Sequence, residues 1–373
     1  MSLRPTWVDV DLGAIEHNVR ALSFAGSETM AVVKADGYGH GDVAVARAAL
    51  EGGASWLGVA LVEEGLGLRA AGIDAPVLVL SETPPGAEVA AVAAGLTLTV
   101  YSRGGRERLA AVAPTVQDPI GVHVKVDTGM HRVGVFPPAA APDFVDGVVA
   151  AGLRLDGLWT HLACADSDEV TTARQLATFA ETVERVHLAG HQPGVVHAAN
   201  TAGAIRFPQA RLDMVRVGIG IYGIAPAPGI GDDLGLRPAL TWRSAVSYAK
   251  HVPAGERVSY GHRYELVRDA WMATVPVGYA DGYPRMLSCR ADALVGGRRC
   301  RVAGSVTMDQ LILDCGDLEP RPGDEVVVLG TQGAHTVTAW ELATSSDTIA
   351  YEIVTGIGAR VPRRPHHGGG SAT

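Results

Sequence analysis

The segment Ala31-Val32-Val33-Lys34-Ala35-Asp36-Gly37-Tyr38-Gly39-His40-Gly41 sets a single amine at the end of a short apolar run. The run reads as a buried strand, the glycine-rich stretch as a turn, and 42–51 as a helix. Desolvating a lone ammonium is costly, and burial lowers a lysine pKa from about 10.4. The neutral amine that results is a nucleophile of the Schiff-base type. An ion pair with a nearby carboxylate is the other reading of the same residue.

Further large polar residues also follow apolar runs. Lys125 and Asp127 stand at the end of 120–126, ahead of Thr128-Gly129-Met130-His131-Arg132. His161 follows 155–160, Asn200 and Thr201 follow 195–199, and Arg216 lies at the end of 213–217, before Gly218-Ile219-Gly220. Thr201 offers a hydroxyl, and the glycine segment offers backbone N–H groups to an anion without side-chain obstruction. A tight turn is the plainer role for those glycines. Taken singly, His161 also reads as a satisfied core histidine. Lys125 reads as a partner of Asp127, since alternation puts both on one face of a strand.

Eight runs have strand character: 30–34, 56–60, 77–80, 96–100, 120–126, 155–160, 195–199 and 213–217. Alanine-rich, helix-like segments at 43–51, 61–71, 86–94, 103–112, 139–151 and 170–189 separate most of them. This alternation predicts an α/β fold, a (β/α)8 TIM-type barrel. An open doubly wound sheet would bring a GxGxxG turn after its first strand, and the turn after Lys34 lacks it. Beyond about residue 238 the rhythm changes to short β segments at 241–252, 257–260, 271–277, 291–295, 299–304, 309–314 and 325–329, with one helix near 338–344. The predicted organisation is a barrel over 1–238 and a mostly-β C-terminal domain over 239–373. Active sites of such barrels lie at the C-terminal strand ends, with phosphate bound after strands seven and eight. Lys34 is then expected to face a phosphate cradle across the barrel mouth. A lysine nucleophile with such a cradle points to pyridoxal 5′-phosphate (PLP).

The bulk properties agree. The 373 residues are 47% hydrophobic, enough for two large cores. Lys+Arg 31 against Asp+Glu 40 gives a net charge of −9, which leaves no basic stripe for nucleic acid. Cys164, Cys289, Cys300 and Cys315 form no CxxC pair and no ligand cluster with histidine, so no metal site is expected and a reducing compartment fits. The N-terminus Met1–Trp7 has no apolar signal core, and no run of about 18 apolar residues occurs. A cytoplasmic location without membrane contact is the expectation. The tail His366–Ser371 reads as disordered.

In its motifs the chain resembles the alanine racemases, PLP enzymes of fold type III. The likeness runs along nearly the whole chain. It is carried by Val32-Val33-Lys34-Ala35-Asp36-Gly37-Tyr38-Gly39-His40-Gly41, Lys125-Val126-Asp127-Thr128-Gly129-Met130-His131-Arg132-Val133-Gly134 and Val258-Ser259-Tyr260-Gly261. Arg216-Val217-Gly218-Ile219-Gly220-Ile221-Tyr222-Gly223 and Met308-Asp309-Gln310 add to it. The resemblance implies interconversion of L- and D-alanine by a two-base mechanism, with D-alanine going to peptidoglycan. It makes Lys34 the PLP-bearing lysine and Tyr260 the opposite base, supplied by the partner in a homodimer with shared active sites. Tyr38, Thr201, Gly218, Ile219 and Tyr351 look like phosphate ligands, with Asn200 beside them. Arg216 would face the pyridine nitrogen, and His161 would link Arg216 with Tyr260. Arg132, Met308 and Asp309 look like substrate-side residues, and Lys125 like the lysine that this family often carbamylates. Read without the family, Tyr260 is an ordinary strand tyrosine and Tyr351 plain core.

Two positions depart from the family pattern. Ser305 stands where an arginine is common, and Thr307 where many relatives have cysteine. Both bear on the substrate entrance, and a wider one would admit side chains larger than methyl. A basic-amino-acid decarboxylase on the same scaffold is disfavoured by Arg216, because that chemistry goes with a carboxylate at the ring nitrogen.

Overall fold

The computed structural model describes residues 4–368. Each of the eight apolar runs forms a strand: β1 Glu28–Val32, β2 Trp56–Val59, β3 Val77–Glu82, β4 Thr97–Val100, β5 Gly121–Lys125, β6 Arg154–Trp159, β7 Val195–His197 and β8 Met214–Val217. They are parallel, in the lateral order β7-β6-β5-β4-β3-β2-β1-β8. Near-continuous apolar runs are what strands covered on both faces require. The seam between β7 and β8 is bridged by Asp213 N–H to Val196 O at 3.1 Å and Arg216 N–H to Ala199 O at 3.0 Å. The sheet thereby closes as an eight-stranded barrel. Met30, Leu78 and Met214 pack together in its interior. Helices flank it, and side-chain caps start several of them: Ser102 accepts from Gly105 N–H, and Asp168 from Thr171 N–H.

Closure corrects one expectation. β1 pairs directly with β8, Ala31 opposite Val217. Lys34 and the Gly218 loop therefore leave adjacent strand ends rather than facing each other across the mouth.

A second compact unit comprises the described residues from Pro238 on and up to Ala14, together with Tyr38–Gly41. The sequence pattern puts residues 1–14 with the barrel. In the structure Trp7–Asp11 pairs antiparallel with Leu240–Ala245 and parallel with Arg363–His366. The sheet continues through Glu325–Gln332, Asp292–Val295, Arg298–Val302, Leu311–Gly316, Ala270–Val275 and Tyr248–Val252. Leu266, Ala270, Met272 and Ala303 form one of its apolar clusters. Of the tail expected to be disordered, His366 ends a strand, and residues 369–371 lie outside the described residues.

The turn after Lys34 is the least ordinary piece of backbone. Lys34–Gly39 is helical, with Gly37 N–H bonded to Val33 O at 2.9 Å. Ala35, Asp36, Gly37, Tyr38 and Gly39 have φ of +54, +54, +57, +52 and +80°. A helical turn with positive φ throughout is left-handed, at about 1–2 kcal/mol for each residue that has a Cβ. Ala35, Asp36 and Tyr38 thus hold strain directly beside the lysine. A Cβ on Gly39 would stand 2.2 Å from Val354 O. Gly39→Ala is expected to cost about 2 kcal/mol or more, strain and clash together. Gly41→Ala, at φ +94° with nothing within 4 Å, should lose only about 1 kcal/mol. Urea midpoints of the two variants check this, and equal losses would show that the contact with Val354 yields.

Candidate active site

Lys34 is half-buried at the end of β1. Burial, then the charge of Arg132, lowers its pKa, while Glu64 opposes the shift. Glu64 also fixes the strand end. Its carboxylate accepts from Ala35 N–H at 2.7 Å, Ala60 N–H at 2.7 Å and Leu61 N–H at 3.0 Å, tying the loops after β1 and β2 together.

Lys125 is buried, and its ammonium nitrogen lies 4.5 Å from the centre of the Trp159 ring. Burial, then Arg132 and Arg216, pulls its pKa down to about 7. Asp127 is not its ion-pair partner. The Asp127 carboxylate is taken by the loop that follows, accepting from Gly129 N–H and His131 N–H at 3.0 Å each. Burial alone would raise this carboxyl, but those N–H groups hold it below its usual value.

Arg216 is buried with no carboxylate beside it. Its Nη2 donates to Thr160 O at 2.8 Å, Ala198 O at 3.0 Å and His161 Nδ1 at 3.2 Å. Its Nη1 donates to His197 Nδ1 at 2.9 Å, and the guanidinium carbon lies 4.7 Å from the Trp159 ring centre. Burial lowers its pKa to about 9, so it stays charged at neutral pH.

A guanidinium only donates, and this fixes two tautomers. His161 Nδ1 accepts, so the proton of its neutral ring sits on Nε2. His197 Nδ1 accepts, so its Nε2–H donates to His123 Nδ1, 2.9 Å away. Burial, then the Arg216 charge, holds His161 and His197 well below the usual histidine range. Burial, with a smaller push from Arg216, outweighs Asp156 in bringing His123 to about 4. His123, Trp159 and His197 are absent from the expected site. Strand alternation was the available signal: His123 lies two residues before Lys125, and Trp159 two before His161.

The cradle after β7 and β8 is built differently from the expectation. Gly218 N–H is already engaged, donating to Thr201 Oγ1 at 3.0 Å. That leaves the Thr201 hydroxyl hydrogen free to face an anion. Ile219 opens the 3-10 turn Ile219–Tyr222, so its N–H has no carbonyl within that turn. Asn200 caps the helix Thr201–Arg206, its Oδ1 accepting from Gly203 N–H at 2.9 Å.

Lys34, Lys125 and Arg216 thus gather at the barrel's C-terminal strand ends, within electrostatic reach of Arg132. Among the described residues none of the four has a carboxylate within ion-pair distance. An unneutralised cation cluster beside a hydroxyl and an open N–H fits an anionic ligand and a carboxylate. The donor set suits PLP: an amine of lowered pKa for its aldehyde, a hydroxyl and an N–H for its phosphate, and cations to balance its negative charge. No group of three or more His, Cys, Asp or Glu that could hold a metal ion occurs among the described residues.

The second unit holds the remaining expected residues in two places. The Tyr38 and Tyr351 rings lie 6.2 Å apart at 48°, and burial, then Tyr351, raises the Tyr38 phenol. Tyr260, Met308 and Asp309 line one cleft of about 600 Å³, together with Tyr279 and Ser305. Tyr260 is in the short 3-10 turn Tyr260–His262 rather than in a strand, and it is 75% exposed. Asp309 pairs with Arg360 at 2.9 Å.

Two family profiles cover most of the chain: alanine racemase, N-terminal domain, over residues 10–226, and alanine racemase, C-terminal domain, over 239–365. The alanine racemase of Symbiobacterium thermophilum is 47% identical over 97% of each chain, and that of Thermobifida fusca 45% identical over 95% of this chain and 96% of its own. Among solved structures, the alanine racemase of Streptomyces lavendulae superposes with a TM-score of 0.94 at 39% identity, covering 99% of this chain and 98% of that one. The Bacillus anthracis alanine racemase with bound L-Ala-P gives 0.93 at 37% identity, covering 99% and 97%.

Proposed function

Since the chain belongs to the alanine racemase family, we propose that it interconverts L- and D-alanine with PLP held at Lys34, using Lys34 and Tyr260 as the two bases. The observation that carries this reading is the half-buried, strand-end amine of Lys34 among three further cations, Lys125, Arg132 and Arg216, none of the four with a carboxylate within ion-pair distance among the described residues. D-alanine made this way would supply peptidoglycan.

PLP, when bound, draws electrons from the amino acid and makes its Cα–H acidic. The chain's residues do the rest. Lys34 would hold the cofactor covalently. The Thr201 hydroxyl, the Ile219 N–H, Tyr38 and Tyr351 would take its phosphate, with Gly218 fixing the Thr201 hydroxyl and Asn200 at the neighbouring helix cap. Arg216, charged and donor-only, would leave a facing ring nitrogen unprotonated. Racemisation removes a proton from one face of Cα and returns one to the other, so a base is needed on each side. Lys34 Nζ qualifies because burial and Arg132 lower its pKa. Tyr260 needs a neighbour that favours its phenolate. His161 Nε2–H, fixed by Arg216, is a donor of that kind. Arg132 would bind the substrate carboxylate, with Met308 and Asp309 at the entrance.

Tyr260 is proposed to act in the active site of a second copy of the chain. Tyr260, Tyr279 and Met308 are large side chains exposed by 75%, 43% and 54% around one cleft, as an uncovered homodimer surface would be. A cytoplasmic setting fits four free thiols. No helix among the described residues is long and apolar enough to cross a membrane.

The test is direct. PLP-loaded protein given L-alanine should form D-alanine to equal amounts, followed by a D-amino-acid oxidase assay. No D-alanine would overturn the assignment. L-serine and L-lysine turned over as fast would make it a broad-spectrum racemase instead.

Lys125 adds a pH prediction. Only a neutral amine adds CO2, and this one is neutral above about 7. In bicarbonate, native mass spectrometry should show one added CO2 at pH 8 and little at pH 6, and none in Lys125→Met. A carbamate would also turn a charge that repels Arg132 into one that attracts it. An unmodified Lys125 at pH 8 would rule this out.

A further inference from the structure

We propose that Ser305 is a positioning residue for Tyr260, acting through a reciprocal hydrogen-bonded clasp with Ser259. The proposal rests on the reading of Tyr260 as a base and adds what holds it in place.

The backbone just before Tyr260 is in a conformation that serine does not choose. Ser259 has φ +66° and ψ −175°, a region occupied almost only by glycine. Gly261 and His262 follow at φ +74° and +48°. Such a turn persists only if its surroundings over-determine it. The Tyr260 side chain, largely in solvent within one chain, contributes little packing to that end. The constraint must act on the backbone.

Ser305 supplies it. The Ser305 hydroxyl donates to Tyr260 O at 2.9 Å, and the Ser259 hydroxyl donates to Ser305 O at 2.8 Å. Each hydroxyl thus bonds a backbone carbonyl of the opposite segment. The Ser305 side is firmly seated: Ser305 is 3% exposed. The next residue's N–H donates to Ser288 Oγ at 2.9 Å, and Ser288 Oγ donates to Arg285 O at 2.6 Å. The two segments run so close that a Cβ on Gly304 would lie 2.6 Å from both Ser259 Cβ and Val258 O. Gly304 lets the segments meet, and Ser305 then locks the strained pair Ser259–Tyr260. A long side chain at 305 could not place a hydroxyl on that carbonyl, so the residue that departs from the family pattern has a role of its own in this chain.

The experiment uses PLP-loaded protein in D2O and follows Cα–H exchange from L-alanine and D-alanine separately, for Ser305→Ala, Ser305→Thr and Tyr260→Phe. Ser305→Ala should slow exchange about tenfold, roughly one net hydrogen bond, and only from the enantiomer that Tyr260→Phe silences. Ser305→Thr, which keeps the hydroxyl, should recover most of that loss. Ser259→Ala removes the reciprocal bond from the more exposed side and should show the same one-sided loss if Ser305→Ala does not fold. Equal slowing from both enantiomers, or no slowing, would overturn the clasp while Tyr260→Phe remains one-sided. A symmetric Tyr260→Phe would instead overturn the base assignment, and the clasp's purpose with it.

Discussion

Replacing Lys34 with alanine should lower racemisation by roughly 10⁴-fold or more, the scale seen when a covalent nucleophile is removed. Loss of fold would not be the reason. The side chain ends a strand, and the Glu64 clamp grips the backbone N–H of Ala35 rather than the amine. Removing a half-buried cation from a cluster that already holds Lys125, Arg132 and Arg216 relieves repulsion. The variant should therefore keep its urea midpoint, retain PLP only weakly, and release it on dialysis. Activity within a few fold of the parent, or cofactor held just as firmly, would show that another amine does the work.

Tyr260→Phe should separate the two directions of the reaction. Exchange of the Cα proton with solvent should fall by about 10²–10⁴-fold from one enantiomer, the usual worth of a positioned general base. From the other enantiomer it should persist through Lys34. The variant removes one phenolic oxygen from an exposed side chain, so stability should hold within about 0.5 kcal/mol. Solvent-deuterium incorporation into each enantiomer, read by NMR, makes the measurement. Small, equal losses on both sides would sink the two-base account.

The barrel was legible because its strands are apolar on both faces and therefore appear as short runs with helices between them. Lys34, Lys125, His161 and Arg216 were legible for the same reason: a large polar residue at the end of an apolar run stands out. His123, Trp159 and His197 were not, because inside a barrel they look like any core residue, and only the donor-only Arg216 guanidinium reveals the tautomers of the histidine pair. The left-handed turn at Ala35–Gly39 was hidden because alanine, aspartate and tyrosine there give no sign of positive φ. Residues 1–14 were assigned by position along the chain, whereas the pairing of Trp7–Asp11 with Leu240–Ala245 decides where this strand belongs. Ser305 shows the opposite case. As a small residue at a position where a large one is common, it first reads as an opening, but its hydroxyl is committed to Tyr260 O.

One particular amine is expected to carry the cofactor. The chain has only three lysines, Lys34, Lys125 and Lys250, so the protein itself can be asked which one it is. Borohydride reduction of the PLP-loaded protein, followed by peptide mapping, should place the pyridoxyl label on Lys34 alone. A label on Lys125 or Lys250, with Lys34 unmodified, would contradict the account.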